Sequence, residues 1–483
     1  MKLTSRHLFI LFLIAFALRL TLGFFAYFAL PQLGTGSETQ QAGYLFYDAF
    51  RRDSQAWELA QSGQPLFRAF SGEYESDQYG GLLWLSAGIY RLLGSHQPLA
   101  IIALAALVGA VGGIFTYLAA SKMLEPKIAF SATLIFLFYP EAILQGASQM
   151  REPLLVTFLA MFFYGLFSAQ DTQTQADQGS GQKMAWFWRV LSLLGMLAFS
   201  PGIALLAIVG AAGWYYFSGE GHKVSWKAIL AALGVFIVGV VILSFSWENL
   251  VSAKSGPLGV IGDWARETAK WNKYILGRSS GIVQLLFEAM PGWLAMPFVA
   301  VYGILQPVLP AAIVEPSVPF WQTLGIARAA GWYALLPILG YAPFAAWKLS
   351  DPRQRRQWLW ISALVWAWIL IVSIRGGGDQ WDNPRYRVIL LFWMALLAAQ
   401  TCSQLKITRN RWFLRILAVE AIILAVFGHW YLFRYVGLGL NLGIRNTLLI
   451  AIGLSVLAVA GDWMREKAGK GRVEKGQRKR VNR

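Results

Sequence analysis

Runs of about twenty apolar residues recur from one end of the chain to the other, and each is long enough as an α-helix to cross about 30 Å of hydrocarbon. Of the 483 residues 57% are hydrophobic and 14% charged, with a mean hydropathy of +0.49, more apolar surface than one soluble core can hide. The chain is therefore expected to be an all-α polytopic membrane protein. The runs are His7 to Leu30, Pro98 to Ala120, Ile128 to Gln145, Pro153 to Ala169, Trp186 to Phe199, Pro201 to Phe217, Trp226 to Phe245, Gly331 to Trp347, Gln357 to Ile374, Tyr386 to Ala399, Trp412 to Leu432 and Thr447 to Gly461, about twelve transmembrane helices in one integral membrane domain, 1–483. The first exceeds a usual signal h-region and precedes no clear small-residue cleavage site, so it reads as a retained span. Arg19 inside it is expected to pair within the bundle.

Charge orients these spans. With the N-terminus in the cytoplasm and strict alternation, the inner segments collect most of the 42 Lys+Arg and few of the 25 Asp+Glu, so the net charge of +17 falls on the inner side. Both termini are then cytoplasmic, in a prokaryotic plasma membrane. The basic tail, 462–483, anchors topology beside anionic lipid and argues for no nucleic-acid partner. Gln170 to Gln182 reads as a cytoplasmic linker. Gly281 to Val314 is apolar but breaks the alternation and holds Pro291, Pro297, Pro307 and Pro310. It is expected to be re-entrant or interfacial within a second outer loop, 247–330.

The single cysteine, Cys402, excludes an internal disulfide and a cysteine metal cluster, and His7, His96, His222 and His429 show no ligand spacing. Outer-side charge converges on four places. The first outer loop, 31–97, should carry amphipathic juxtamembrane helices. It holds Asp48, Arg51, Arg52 and Asp53, then Glu73, Glu75 and Asp77 before Tyr79-Gly80-Gly81. Asp53 should open a short helix with Ala56, Trp57, Leu59 and Ala60 on one side and Gly63 as its stop. The second place is FYPEAILQGASQMREPLL, with Glu141, Arg151 and Glu152. Lys270, Lys273, Tyr274 and Arg278 form the third, and RGGGDQWDNPRYRVILLFW, with Asp379, Asp382, Arg385 and Arg387, the fourth.

Four of these features resemble the GT-C glycosyltransferases of the dolichyl-phosphate-mannose mannosyltransferase and aminoarabinose transferase type. They are an acid soon after the first span within DxxxxxxA, an amphipathic stretch ending in LLG, an acid opening the fourth span after SQM, and RYR before a late span. The chain departs from that pattern in Ser54, where a second acid is frequent, and in Tyr79-Gly80-Gly81, where a Pro-Pro-Leu-like turn is usual. The resemblance implies transfer of a sugar from a polyprenyl-phosphate donor to an acceptor outside the membrane, with inversion at the anomeric carbon.

That chemistry needs a carboxylate to take the acceptor's proton and cations to hold the departing phosphate. Asp53 is the expected base and Glu152 its catalytic partner. Arg385 and Arg387, helped by Arg151, are the expected phosphate ligands, since guanidinium forks match phosphate oxygens. Trp57 and Trp381 are candidates for stacking on the sugar. Membrane lipids are the other partners. A divalent cation bridging carboxylate and phosphate is a conceivable cofactor; the sugar and the acceptor are not legible. Two other classes share this layout. A transporter or lipid flippase would place its ionisable groups near the midplane of broken helices, and a lipid-linked glycan polymerase or ligase would place its large loop late in the chain.

Overall fold

The structure is a computed structural model that describes residues 5–71, 74, 77, 79–172, 178–219, 270, 274, 291–408 and 410–481. Among these residues the chain is helical, without strands. The helices are α1 (Ser5–Leu33), α2 (Glu38–Gln41), α3 (Tyr47–Gln61), α4 (Gly81–Leu93), α5 (Pro98–Ala120), α6 (Pro126–Phe138), α7 (Pro140–Gly146), α8 (Glu152–Thr172), α9 (Gln178–Phe199), α10 (Pro201–Ser218), α11 (Gly292–Leu305), α12 (Leu309–Val314), α13 (Pro319–Trp347), α14 (Pro352–Gly376), α15 (Asp382–Arg387), α16 (Leu391–Thr408), α17 (Arg411–Val436) and α18 (Gly443–Val481). Proline stands in the first turn of α5, α6, α7, α10 and α14, where its missing N–H removes no helical bond and its φ is already helical.

Nine of these helices, counted among the described residues, are long and apolar enough to cross a membrane; with α6 and α7 taken as one bent span there are ten. The chain is an all-α polytopic membrane protein. Two expected spans fall elsewhere: Trp226 to Phe245 lies outside the described residues, and Trp186 to Phe199 belongs to α9, which is not among the nine because its first turns, QGSGQK, are polar. The span expected from Gly331 starts twelve residues earlier, at Pro319. Of the stretch 247–330, expected to be a second outer loop, Lys270, Tyr274 and residues 291–330 are described. There α11, with 14 residues, is too short to span, and it is separated from α12 around Pro307.

The chain divides into two compact units. One comprises residues 1–306 and 342–403, the other 307–341 and 404–483. In the first, α5 packs against α1 and α8, and α8 against α9. Its best-protected segment is the start of α16, where Leu391 to Ala398 are at most 1% exposed. Phe163 on α8 stacks on Phe392 at 5.5 Å and meets Trp393 edge-on at 4.6 Å. In the second unit, α17 packs against α18. Arg415 ties the pair by donating to Asp462 at 2.8 Å and Glu466 at 2.5 Å.

Pro140 cannot supply the N–H that would continue α6, so α6 and α7 meet at 54°. The break leaves carbonyls of α6's last turn without helical donors. Arg19, 1% exposed, donates to one of them, Leu137 O, at 2.8 Å.

Candidate functional site

The stretch between α1 and α5 builds its own small core. Ala56 and Leu59 of α3 pack with Ala69 and with Leu83, Ala87 and Tyr90 of α4, against Ile101 of α5. The apolar stripe of α3 runs through Ala49, Ala56 and Leu59, so the helix begins at Tyr47 rather than at Asp53. Asp53 is thus a mid-helix residue on the buried face. Gly80, at φ +75°, lies so close to Ala69 that an added Cβ would stand 2.7 Å from its carbonyl carbon, and this crossing sets the start of α4.

Asp53, 1% exposed, accepts hydrogen bonds on both oxygens. Tyr44 donates to Oδ2 at 2.5 Å, Tyr90 donates to Oδ1, and His96 Nε2 lies 2.6 Å from Oδ2. Trp57 stacks on the His96 ring at 5.2 Å. Burial first, and the Asp53 charge second, push both phenols well above their ordinary pKa, so they remain donors. Nothing in the local sequence marks this group, because its members are drawn from the loop before α3, from the middle of α3, from α4 and from the loop before α5.

A second cluster gathers the other charges. The Arg385 guanidinium donates to Glu152 Oε1 through Nε at 2.7 Å and to Asp48 Oδ2 through Nη1 at 2.7 Å, with Asp382 Oδ1 at 3.7 Å. Arg52 stands 3.4 Å from the same Asp48 oxygen. Arg151 lies over the Tyr79 ring at 5.2 Å and 4.0 Å from Asp77 Oδ1, and its Nε and Nη1 have no hydrogen-bond partner. Asp77 itself caps α4, accepting from Leu82 N at 2.9 Å and Leu83 N at 3.1 Å. Glu152 is 0% exposed and Arg385 4%, whereas the Asp48 side chain is 37% exposed and forms the open side of the group. Burial pushes the Asp48 carboxyl up, but Arg385 and Arg52 outweigh it and hold Asp48 below the usual carboxylate range.

Of the residues expected from the sequence, Glu152 and Arg385 meet directly. Asp53 bonds to its own tyrosine and histidine partners. Arg387 reaches a different element, donating to the carbonyls of Ile304 at 3.3 Å and Gln306 at 2.7 Å at the C-terminal end of α11. Trp381 packs edge-on against Phe46 at 6.0 Å. Glu73, Glu75, Lys273 and Arg278 lie outside the described residues. Asp48 was not singled out from its neighbours by the sequence; its i, i+4 spacing to Arg52 is the one local signal it carries. Among the described residues no three His, Cys, Asp or Glu side chains are grouped to hold a metal ion.

No protein-family model and no curated protein matches the chain. Two solved structures from Archaeoglobus fulgidus are similar to it. One is the archaeal oligosaccharyltransferase AglB in complex with an inhibitory peptide and a dolichol-phosphate, at 14% identity and a TM-score of 0.37, covering 94% of this chain and 56% of that one. The other is an oligosaccharyltransferase tethered by a disulfide to an acceptor peptide containing the NVT sequon, at 12% identity and a TM-score of 0.44, covering 94% and 55%. The chain spans about half the length of these proteins.

Proposed function

We propose that the chain is a GT-C-type membrane glycosyltransferase that moves a sugar from a polyprenyl-phosphate donor to an acceptor on the outer face, with inversion. The observation that carries this reading is the Arg385 fork, held by Glu152 and Asp48, beside an Arg151 guanidinium whose Nε and Nη1 have no hydrogen-bond partner. Buried guanidinium groups with donors to spare suit the oxygens of a phosphate monoester or diester. Charge gathered at helix ends and on a loop helix favours a surface reaction over transport through the midplane.

In this reading the acceptor hydroxyl oxygen attacks the anomeric carbon from the side opposite the phosphate. The bond from that carbon to the phosphate oxygen breaks, polyprenyl phosphate leaves with the electron pair, and Arg385 and Arg151 stabilise its charge. The hydroxyl proton passes to a carboxylate on α3. We assign that part to Asp48, which is half-exposed, ionised and in contact with Arg385. Asp53, with both oxygens engaged, holds the loop through Tyr44, Tyr90 and His96. Glu152 orients Arg385, and Arg387 fixes α15 to α11. These steps use the chain's own guanidinium groups, with Glu152 Oε1 engaged by Arg385.

The test is single-turnover transfer from a radiolabelled polyprenyl-phosphate sugar by the purified chain, with Arg385→Ala alongside. Product with inverted stereochemistry, lost in Arg385→Ala, supports the reading. Absence of donor binding in the wild-type chain, across mannosyl, glucosyl and aminoarabinosyl donors, overturns it.

A further inference from the structure

Beside Glu152 the bundle encloses polar atoms that have no hydrogen-bond partner. Arg19 Nε, Gln145 Oε1 and Glu152 Oε2 have no hydrogen-bond partner, and their residues are 1%, 1% and 0% exposed. All three residues line one cavity of about 20 Å³, whose walls include Ala142 and Val156. Buried polar groups left unpaired are strongly disfavoured, so three of them around one space point to an occupant.

Valence decides what the occupant is. Arg19 Nε–H is a donor, whereas the Gln145 amide oxygen and the Glu152 carboxylate oxygen are acceptors. A cation would suit the two oxygens but meet the guanidinium, and an anion would suit the guanidinium but meet the carboxylate. A species that accepts one hydrogen bond and donates two satisfies all three, and water does so. The space exceeds the roughly 10–15 Å³ that one water needs.

The fold supplies the reason Arg19 presents this edge. Its Nη2 is spent on Leu137 O at 2.8 Å, at the break between α6 and α7, and its Nη1 on Ala15 O at 3.0 Å, which leaves Nε. Gly146 makes the room: a Cβ there would stand 2.7 Å from Arg19 Cδ and 2.9 Å from Nε.

We propose that an ordered water in this cavity bridges Arg19, Gln145 and Glu152, making Arg19 a positioning residue for Glu152 and, through Glu152 Oε1, for Arg385. The link to phosphate rests on the donor reading above; the water bridge does not. With one oxygen on Arg385 and the other on the water, the Glu152 carboxylate is fixed in plane, and so is the guanidinium it holds.

The test uses the full chain in nanodiscs, a density map that resolves water, thermal unfolding, and binding of farnesyl phosphate as the probe. Ala142→Val fills the cavity without altering the three polar groups. Gln145→Met removes an acceptor, and Arg19→Lys keeps the charge but loses Nε–H. Leu144→Ala, a buried change that does not line the cavity, calibrates what instability alone does to binding. The expected result is water density between the three atoms in the wild type. Ala142→Val and Gln145→Met should each weaken farnesyl phosphate binding about 5-fold, the scale of one lost water-mediated hydrogen bond, and beyond the Leu144→Ala change at equal loss of thermal midpoint. A dry cavity overturns the proposal. Wild-type affinity in Ala142→Val, with binding still lost in Arg385→Ala, overturns the positioning role and leaves the donor reading standing. Water density in a wild-type chain that binds no farnesyl phosphate supports the bridge and removes the donor reading instead.

Discussion

Arg385 Nε lies 2.7 Å from Glu152 Oε1, although the two residues are 233 positions apart in the chain. The pair joins the start of α8 to the short helix α15, and both partners are buried. Removing one partner of such a pair leaves the other charge uncompensated, typically at about 3–5 kcal/mol.

Arg385→Ala should therefore lose both stability and donor binding, whereas Arg385→Lys should keep the fold better than it keeps affinity, because an ammonium cannot bond Glu152 and Asp48 as a fork does. Thermal unfolding and farnesyl phosphate binding on the same preparations separate the two effects. Equal affinity in the lysine variant and the wild type would show that charge alone suffices.

Asp48→Asn should fold and bind donor yet transfer sugar about 100-fold to 10,000-fold more slowly, the usual loss on removing a general base. Asp53→Asn should instead show a lower thermal midpoint with a smaller loss of single-turnover rate, since its role is to accept bonds from Tyr44, Tyr90 and His96. If Asp53→Asn alone abolished transfer in a stable protein, the two aspartates would exchange parts.

The pH dependence follows from the Asp48 shift. Its folded-state pKa is depressed, so the contribution of its ion pairs is fully present above the ordinary carboxylate value of about 3.9 and is lost as pH falls through the lower folded value. Stability should be flat from about pH 5 to 8 with respect to this group, and Asp48→Asn should flatten the acid limb below about pH 4. Unfolding midpoints of both proteins across that range test it; identical acid limbs would count against the pairing.

Topology can be read by thiol labelling in intact cells. In a background lacking Cys402, Ser71→Cys should be labelled by an impermeant maleimide and Ser180→Cys protected, because the basic segments are assigned to the inside. The reverse pattern would invert the orientation and move the charged cluster to the cytoplasmic face.

The all-α membrane class was legible because an apolar run of spanning length has few other structures open to it. Boundaries were less so. The stripe Ala49, Ala56, Leu59 continues upstream of Asp53, yet Arg51, Arg52 and Asp53 read locally as a break, so the helix starts six residues before the position its local sequence suggests. The pairing of Arg385 with Glu152 and Asp48 has no local signature, since it depends on how distant helices pack. The different partners of Arg385 and Arg387 have a local signature: residues two apart on a helix do not share a face, and the two side chains bond to Glu152 and to the end of α11 respectively.

That divergence also bears on how mutational data for this chain are to be read. Arg387 anchors the carbonyl end of α11 two residues from Arg385, so truncating it would unmoor the segment that presents the guanidinium fork. A scan scored by activity alone would then count Arg387 among the ligands even if it never touches substrate. Only a measurement that separates the grip on phosphate from the seating of α15 distinguishes the hand from the wrist.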